Sequence, residues 1–68
     1  MIYVTRLGGE PLVVNADLLE TVEETPDTVL TLSSGRRIIV QETAVEVINR
    51  VVEFKARVVA FAQAMSAH

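Results

Sequence analysis

Residues 28–40 read TVLTLSSGRRIIV, and this stretch decides the fold. Its first five residues are rich in β-branched side chains, which fit a pleated strand. Ser33, Ser34 and Gly35 then supply a turn, because glycine reaches a positive φ without strain. Residues 36–41 include three successive β-branched side chains and predict the returning strand. The stretch therefore predicts an antiparallel β-hairpin.

The residues before this hairpin predict further short strands. Residues 2–7 and 12–14 have strand composition, and the Gly-Gly pair between them is a strong hairpin signal. Residues 15–17, Asn-Ala-Asp, predict an Asx-type turn or one helical turn. Residues 18–24 fit either a third strand or a short helix, and their alternation favours the strand. We therefore expect one antiparallel meander of four or five short strands.

The hydrophobic period changes from 2 to 3.6 after this meander. Thr43 and Glu46 match a capping box, in which each side chain accepts a hydrogen bond from the other residue's N–H. Residues 44–65 contain no Gly or Pro, so they predict one long helix of about 33 Å. A five-residue strand spans only about 17 Å. The last helical turns are therefore expected to overhang the sheet.

These elements predict a single small α+β domain. A chain of 68 residues has room for one hydrophobic core. We expect the strand meander in residues 1–42, the C-terminal helix in residues 43–65 and a frayed tail in residues 66–68.

The predicted helix carries more apolar surface than one sheet face can cover. A first stripe has the spacing 4-3-4-3-4 and is the candidate contact surface for an oligomer or another partner: Val47, Val51, Phe54, Val58, Phe61 and Met65. A second stripe, interrupted by Lys55, consists of Val45, Ile48, Val52, Val59 and Ala62. One sheet face needs one stripe, so two stripes indicate two partners, the chain's own sheet and a neighbouring protein. Alternatively, a curled sheet covers both stripes.

The C-terminal half of the first stripe is expected to mediate self-association. Val58, Phe61 and Met65 lie beyond the reach of a short sheet. Leaving Phe61 in water forgoes about 1.5–3 kcal/mol of burial free energy, which is a large fraction of the stability of so small a chain. A homo-oligomer would bury this surface.

Charge and composition count against several function classes. The formal net charge of −3 disfavours nucleic acid as a partner. Without cysteine, the chain has neither disulfides nor thiolate metal sites. The N-terminus lacks the pattern of a signal peptide. Charged residues interrupt the most apolar stretch, so we expect no direct membrane insertion and a cytoplasmic location.

No constellation for catalysis or cofactor binding is recognisable in the sequence. The one histidine is His68, the last residue, so nucleophiles lack their usual base. Glu46 with Arg50 and Glu53 with Arg57 predict ion pairs on a solvated helix face. The acids before the central hairpin lack the spacing of a calcium loop and predict a solvated rim: Glu20, Glu23, Glu24 and Asp27. We therefore expect no enzyme activity, no metal and no cofactor.

Four stretches of the chain occur together in one known family: MIYVTRL at 1–7, LVVNADLLE at 12–20, TPDTVLTLSSG at 25–35 and VQET at 40–43, followed by a Val-rich helix. With them the chain resembles the small flagellar proteins called FlbD, also known as SwrD. The resemblance covers about residues 1–58. The family's usual Leu-Asn-Gly turn is Leu-Gly-Gly here, and the alanine-rich residues 60–68 also depart from the family pattern.

The resemblance implies a cytoplasmic protein at the flagellar base that supports swarming by raising motor power. It implies protein–protein contact with the motor or its stators, and it supplies no catalytic residues. The alternative is a small nucleic-acid-binding regulator of motility genes. The acidic charge and the presence of only three aromatic residues count against that alternative.

Overall fold

The computed structural model describes residues 1–66 as five short strands followed by one long helix. The predicted α+β class is confirmed. Of the predicted frayed tail, Ser66 is instead the last helical residue, and residues 67 and 68, including His68, lie outside the described residues. The elements are β1 (Ile2–Thr5), β2 (Pro11–Val14), β3 (Leu19–Glu24), β4 (Thr28–Leu32), β5 (Arg37–Val40) and α1 (Ala44–Ser66).

Both glycine-based hairpins are confirmed. Strands β1 and β2 pair antiparallel, with Ile2 opposite Val14, and strands β4 and β5 pair antiparallel, with Thr28 opposite Val40. Gly9 and Gly35 have φ values of 102° and 90° in the two turns. Such backbone angles strain any residue that has a Cβ atom.

The five strands form two antiparallel sheets, β1-β2 and β3-β4-β5, rather than the one continuous meander that the sequence predicts. The chain leaves β2 through a short 3₁₀ turn at Ala16–Leu18. The Asn15 side chain starts this turn by accepting a hydrogen bond from the Asp17 N–H at 3.0 Å. Because the turn separates β3 from β2, β3 pairs with β4 but not with β2.

The two sheets meet where β1 and β5 end. Arg6 and Val40 form an isolated antiparallel bridge. The Leu7 N–H donates to the Ile39 carbonyl at 3.0 Å, and the Gln41 N–H donates to the Thr5 carbonyl at 2.8 Å. These hydrogen bonds join the sheets across a long sequence separation.

The hydrophobic core draws on both sheets and on the start of the helix. Period-2 alternation directs Ile2 and Val4 of β1 inward while Tyr3 is exposed. The buried apolar residues are Ile2, Val4, Val14, Ala16, Leu30, Ile38, Val40 and Val47. Val47 is the helix residue in this set, and it packs the first turns of α1 against the strands.

The start of α1 is held by two side-chain caps. The Thr43 hydroxyl oxygen accepts a hydrogen bond from the Glu46 N–H at 3.1 Å, which confirms half of the predicted capping box. The Glu46 carboxylate accepts from the Thr43 hydroxyl at 3.3 Å rather than from its N–H. The Glu24 carboxylate accepts from the Ala44 N–H at 2.7 Å. Glu24 is therefore not a purely solvated rim residue, because it caps a helix.

The second half of α1 extends beyond the sheets, as the length comparison predicts. The molecule measures 47 × 22 × 19 Å along its principal axes. The 23 residues of α1 account for about 35 Å of the long axis at 1.5 Å per residue. Residues 58–66 are all exposed to solvent.

Candidate functional site

The first apolar stripe of α1 divides into a covered half and an uncovered half. Val47 is 0% exposed and lies in the core. Val51 and Phe54 are half-buried and pack against that core. The structure therefore places these three candidate contact residues in the chain's own fold, where they hold α1 against the strands.

The uncovered half of the stripe consists of Val58, Phe61 and Met65, and is called the exposed stripe below. These side chains are 51%, 68% and 62% exposed, respectively. An open, largely apolar depression is bounded by Phe54, Arg57, Val58 and Phe61. The exposed stripe continues, towards the C-terminus of α1, the row of side chains that the sheets cover in the first turns of the helix.

The second apolar stripe is uncovered along its whole length. Its larger members, Val45, Ile48, Val52 and Val59, are all exposed. The alternative in which a curled sheet covers both stripes is therefore wrong. The physical reason is that the two sheets contact one side of α1, mainly through β1 and β3.

A hydrogen-bonded network that the sequence did not predict fixes the first half of α1. Glu42 is 7% exposed. Its carboxylate accepts from the Thr5 N–H at 2.8 Å and from the Thr5 hydroxyl at 2.9 Å. Arg50 donates to the same carboxylate at 2.9 Å and to the Tyr3 carbonyl at 2.8 Å. The network, named the Glu42 clamp below, joins β1 to α1.

The hydrogen bonds of the clamp favour the ionised form of Glu42. Burial raises the pKa of Glu42. Hydrogen bonds from the Thr5 N–H, the Glu42 N–H, the Thr5 hydroxyl and Arg50 outweigh that effect and hold the pKa below its ordinary value of 4.5. Both carboxylate oxygens accept hydrogen bonds from Thr5, so the group helps to hold β1 against α1.

The clamp also corrects the predicted helix ion pairs. Arg50 pairs with Glu42, which precedes the helix, and not with Glu46. Within the part of the chain that the structure describes, Glu53 and Arg57 do not form an ion pair either. The helical spacing of Glu46 and Arg50 allows a contact, but a nearly buried carboxylate offers Arg50 a better partner than an exposed one. A buried acid just before the helix is not visible as such in the sequence.

Metal ligands and membrane-spanning segments bear on the kind of site present. Among residues 1–66, no group of three His, Cys, Asp or Glu side chains could hold a metal ion. No helix in that range is both long and apolar enough to cross a membrane.

Comparison with known proteins gives a family match. The family model for FlbD, described as flagellar and swarming motility proteins, matches residues 1–59. No curated protein and no solved structure matches the chain. The match covers the strands, the Glu42 clamp and α1 as far as Val59. Phe61 and Met65 lie beyond it.

Proposed function

This chain belongs to the FlbD family of flagellar and swarming motility proteins, and we propose that it is a non-enzymatic motility accessory protein. It acts in the cytoplasm at the flagellar base, where it contacts a motor or stator protein and raises motor power. Family membership supports the motility role. The observation that carries the mode of action is the exposed stripe, which fits a protein–protein contact.

The exposed stripe supports contact because its exposure is costly. Burying a side chain such as that of Phe61, which is 68% exposed, is worth about 1.5–3 kcal/mol. The net stability of a domain of this size is only about 3–10 kcal/mol. Contiguous exposed apolar surface on a soluble domain is typical of an interaction site.

The arrangement of charged groups supports a role without chemistry. The nearly buried carboxylate of Glu42 is engaged by Thr5 and Arg50. A general base needs an acceptor that is free to take a proton from a substrate. The acidic net charge of −3 likewise favours a protein partner over the nucleic-acid-binding alternative.

Deletion of the gene tests the motility role. The deletion strain is expected to spread more slowly on swarm agar, while its filament number stays equal to that of the parent. Torque of tethered cells is expected to fall, because the proposed action is on motor power. A strain without filaments would contradict the proposal, and so would one that swarms at the parental rate.

A gel-shift titration separates the two function classes. Purified protein is expected not to retard DNA or RNA from motility genes at about 0.15 M salt. Retardation that is specific for one sequence would favour the regulator instead.

A further inference from the structure

We propose that the exposed stripe is covered by a second copy of this chain, which binds antiparallel so that the two helix ends overlap. The proposal rests on the proposed function only in that an accessory protein of this kind acts through a contact surface. It names a second copy as the occupant of the exposed stripe, so that contact with a motor or stator protein is made by the dimer and not by this stripe directly. Association of purified protein and swarming of cells are separate measurements, so each claim can fail without the other.

The spacing of the stripe specifies a helical partner. Its 4-3-4-3-4 order runs without interruption from Val47 to Met65, and this is the pattern of a coiled-coil seam. The strands cover the seam as far as Phe54. A second helix would cover the remainder on the same side of α1, continuing the layer that the strands begin.

The position of the strands selects the antiparallel orientation. In a parallel pair, the second helix would face Val47 and Val51, but the chain's own strands already cover these residues. In an antiparallel pair, only the C-terminal halves overlap, and each set of strands lies beyond the end of the other helix. The two copies are then related by a two-fold axis perpendicular to the helices.

In an antiparallel pair, each seam residue that is followed by a spacing of three lies opposite one that is followed by a spacing of four. The register is then the one with the longest overlap that keeps the second helix clear of the strands. Val58 lies opposite Phe61 of the second copy, and Phe54 lies opposite Met65 of the second copy. The open depression between Phe54, Val58 and Phe61 then receives that methionine, whose flexible side chain fills irregular gaps well. The overlap spans about 18 Å of helix, which is a short contact, so we expect affinity in the micromolar range.

The flanking charges are compatible with the antiparallel register. Lys55 lies beside Ala62 of the second copy, and Arg57 lies beside Ala64 of the second copy. The alanines leave room for the long stems of the cationic side chains. The last turn of α1 contains no basic residue, so the cations of the second copy complement the negative end of the helix dipole. A parallel register would instead bring Arg50 beside Lys55 of the second copy, which are like charges.

Sedimentation of purified protein between about 5 and 500 µM tests the association. Wild-type protein is expected to be a reversible dimer, and Phe61→Ser is expected to raise the Kd at least about tenfold. The matched control is Val59→Ser, because Val59 is 55% exposed but lies on the second stripe. The control is expected to keep the wild-type Kd. Circular dichroism is expected to show both variants folded, since neither side chain belongs to the core.

Distances between spin labels test the orientation. The chain has no cysteine, so Asn49→Cys and Gln63→Cys each carry a single label at an exposed helix position. Along the helix axis, the antiparallel register separates the two labels by about 30 Å for Asn49 and by about 10 Å for Gln63. A parallel pair would give nearly equal label distances at the two sites.

Three results would overturn the proposal. One is a wild-type protein that stays monomeric at about 500 µM, which would leave the exposed stripe to a different protein. Another is equal label distances at the two sites. The third is a dimer that Val59→Ser dissociates and Phe61→Ser does not.

Discussion

Replacing Glu42 with glutamine is expected to loosen the attachment of α1 to β1. Glutamine keeps one oxygen that can accept from the Thr5 N–H, but the NH2 group that replaces the other oxygen cannot accept from the Thr5 hydroxyl or from Arg50. Because Glu42 is 7% exposed, water replaces the lost bonds only poorly. The substitution therefore tests whether the Glu42 clamp stabilises the fold.

The structure sets the size of this effect. A buried polar group left without its partner costs about 1–3 kcal/mol. The contribution of Arg50 is at the low end, because its side chain is 40% exposed and water can solvate it. We expect Glu42→Gln to lower the free energy of unfolding by about 2 kcal/mol. In a domain of this size that corresponds to a fall in Tm of about 8–16 °C.

Thermal and urea denaturation followed by circular dichroism measure this loss. The matched control is Glu53→Gln, which removes the charge of an exposed carboxylate on α1 and is expected to change stability by less than about 0.5 kcal/mol. All proteins are compared at one low concentration, so that association contributes equally. Equal Tm values for Glu42→Gln and Glu53→Gln would refute the reasoning about the clamp.

The same comparison has a pH dependence whose sign follows from the pKa of Glu42. Despite its burial, hydrogen bonds hold that pKa below the ordinary value of 4.5. The folded state therefore binds the carboxylate proton less readily than the unfolded state does. The stabilisation is complete above pH 4.5 and is lost as the pH falls through the lower folded-state pKa. The stability difference between wild type and Glu42→Gln is thus expected to shrink in acid.

Three further substitutions probe the fold by urea denaturation. Val47→Ala removes a fully buried side chain and is expected to lower the free energy of unfolding by about 2 kcal/mol. Val45→Ala, at an exposed position, is expected to lower it by less than about 0.5 kcal/mol. Similar losses for the two variants would contradict the packing of the Val47 side of α1 against the strands. Gly35→Ala forces a Cβ onto a φ of 90° and is expected to cost about 1–2 kcal/mol; an unchanged urea midpoint would argue against this turn. Glu24→Gln weakens the cap on Ala44 and is expected to cost about 0.5–1 kcal/mol, while Glu23→Gln is neutral; equal effects would mean that the cap is not formed.

The elements of the fold were predictable because they depend on local patterns. The hairpin turns follow from glycines with positive φ, and the start of α1 follows from Thr43 and Glu46. The overhang follows from comparing the lengths of a helix and a strand. Each of these inferences needs only neighbouring residues and backbone geometry.

Long-range pairing was not predictable in the same way. The bridge between Arg6 and Val40 and the clamp between Thr5 and Glu42 join residues far apart in sequence. Nothing local distinguishes Glu42 from the exposed acids around it, because its burial depends on how β1 meets β5. For the same reason the sequence could define the first apolar stripe but not the residue at which the chain's own strands stop covering it.

The most direct test of the account measures swarming in a deletion strain that is complemented with Phe61→Ser or with Val59→Ser. Both side chains are exposed in the monomer, so equal protein levels in the two strains ensure that only the altered surface differs. The account predicts that Val59→Ser restores the swarm expansion rate and that Phe61→Ser leaves it near that of the deletion strain. A Phe61→Ser strain that swarms like the parent would contradict the claim that the helix end is the working surface of this protein.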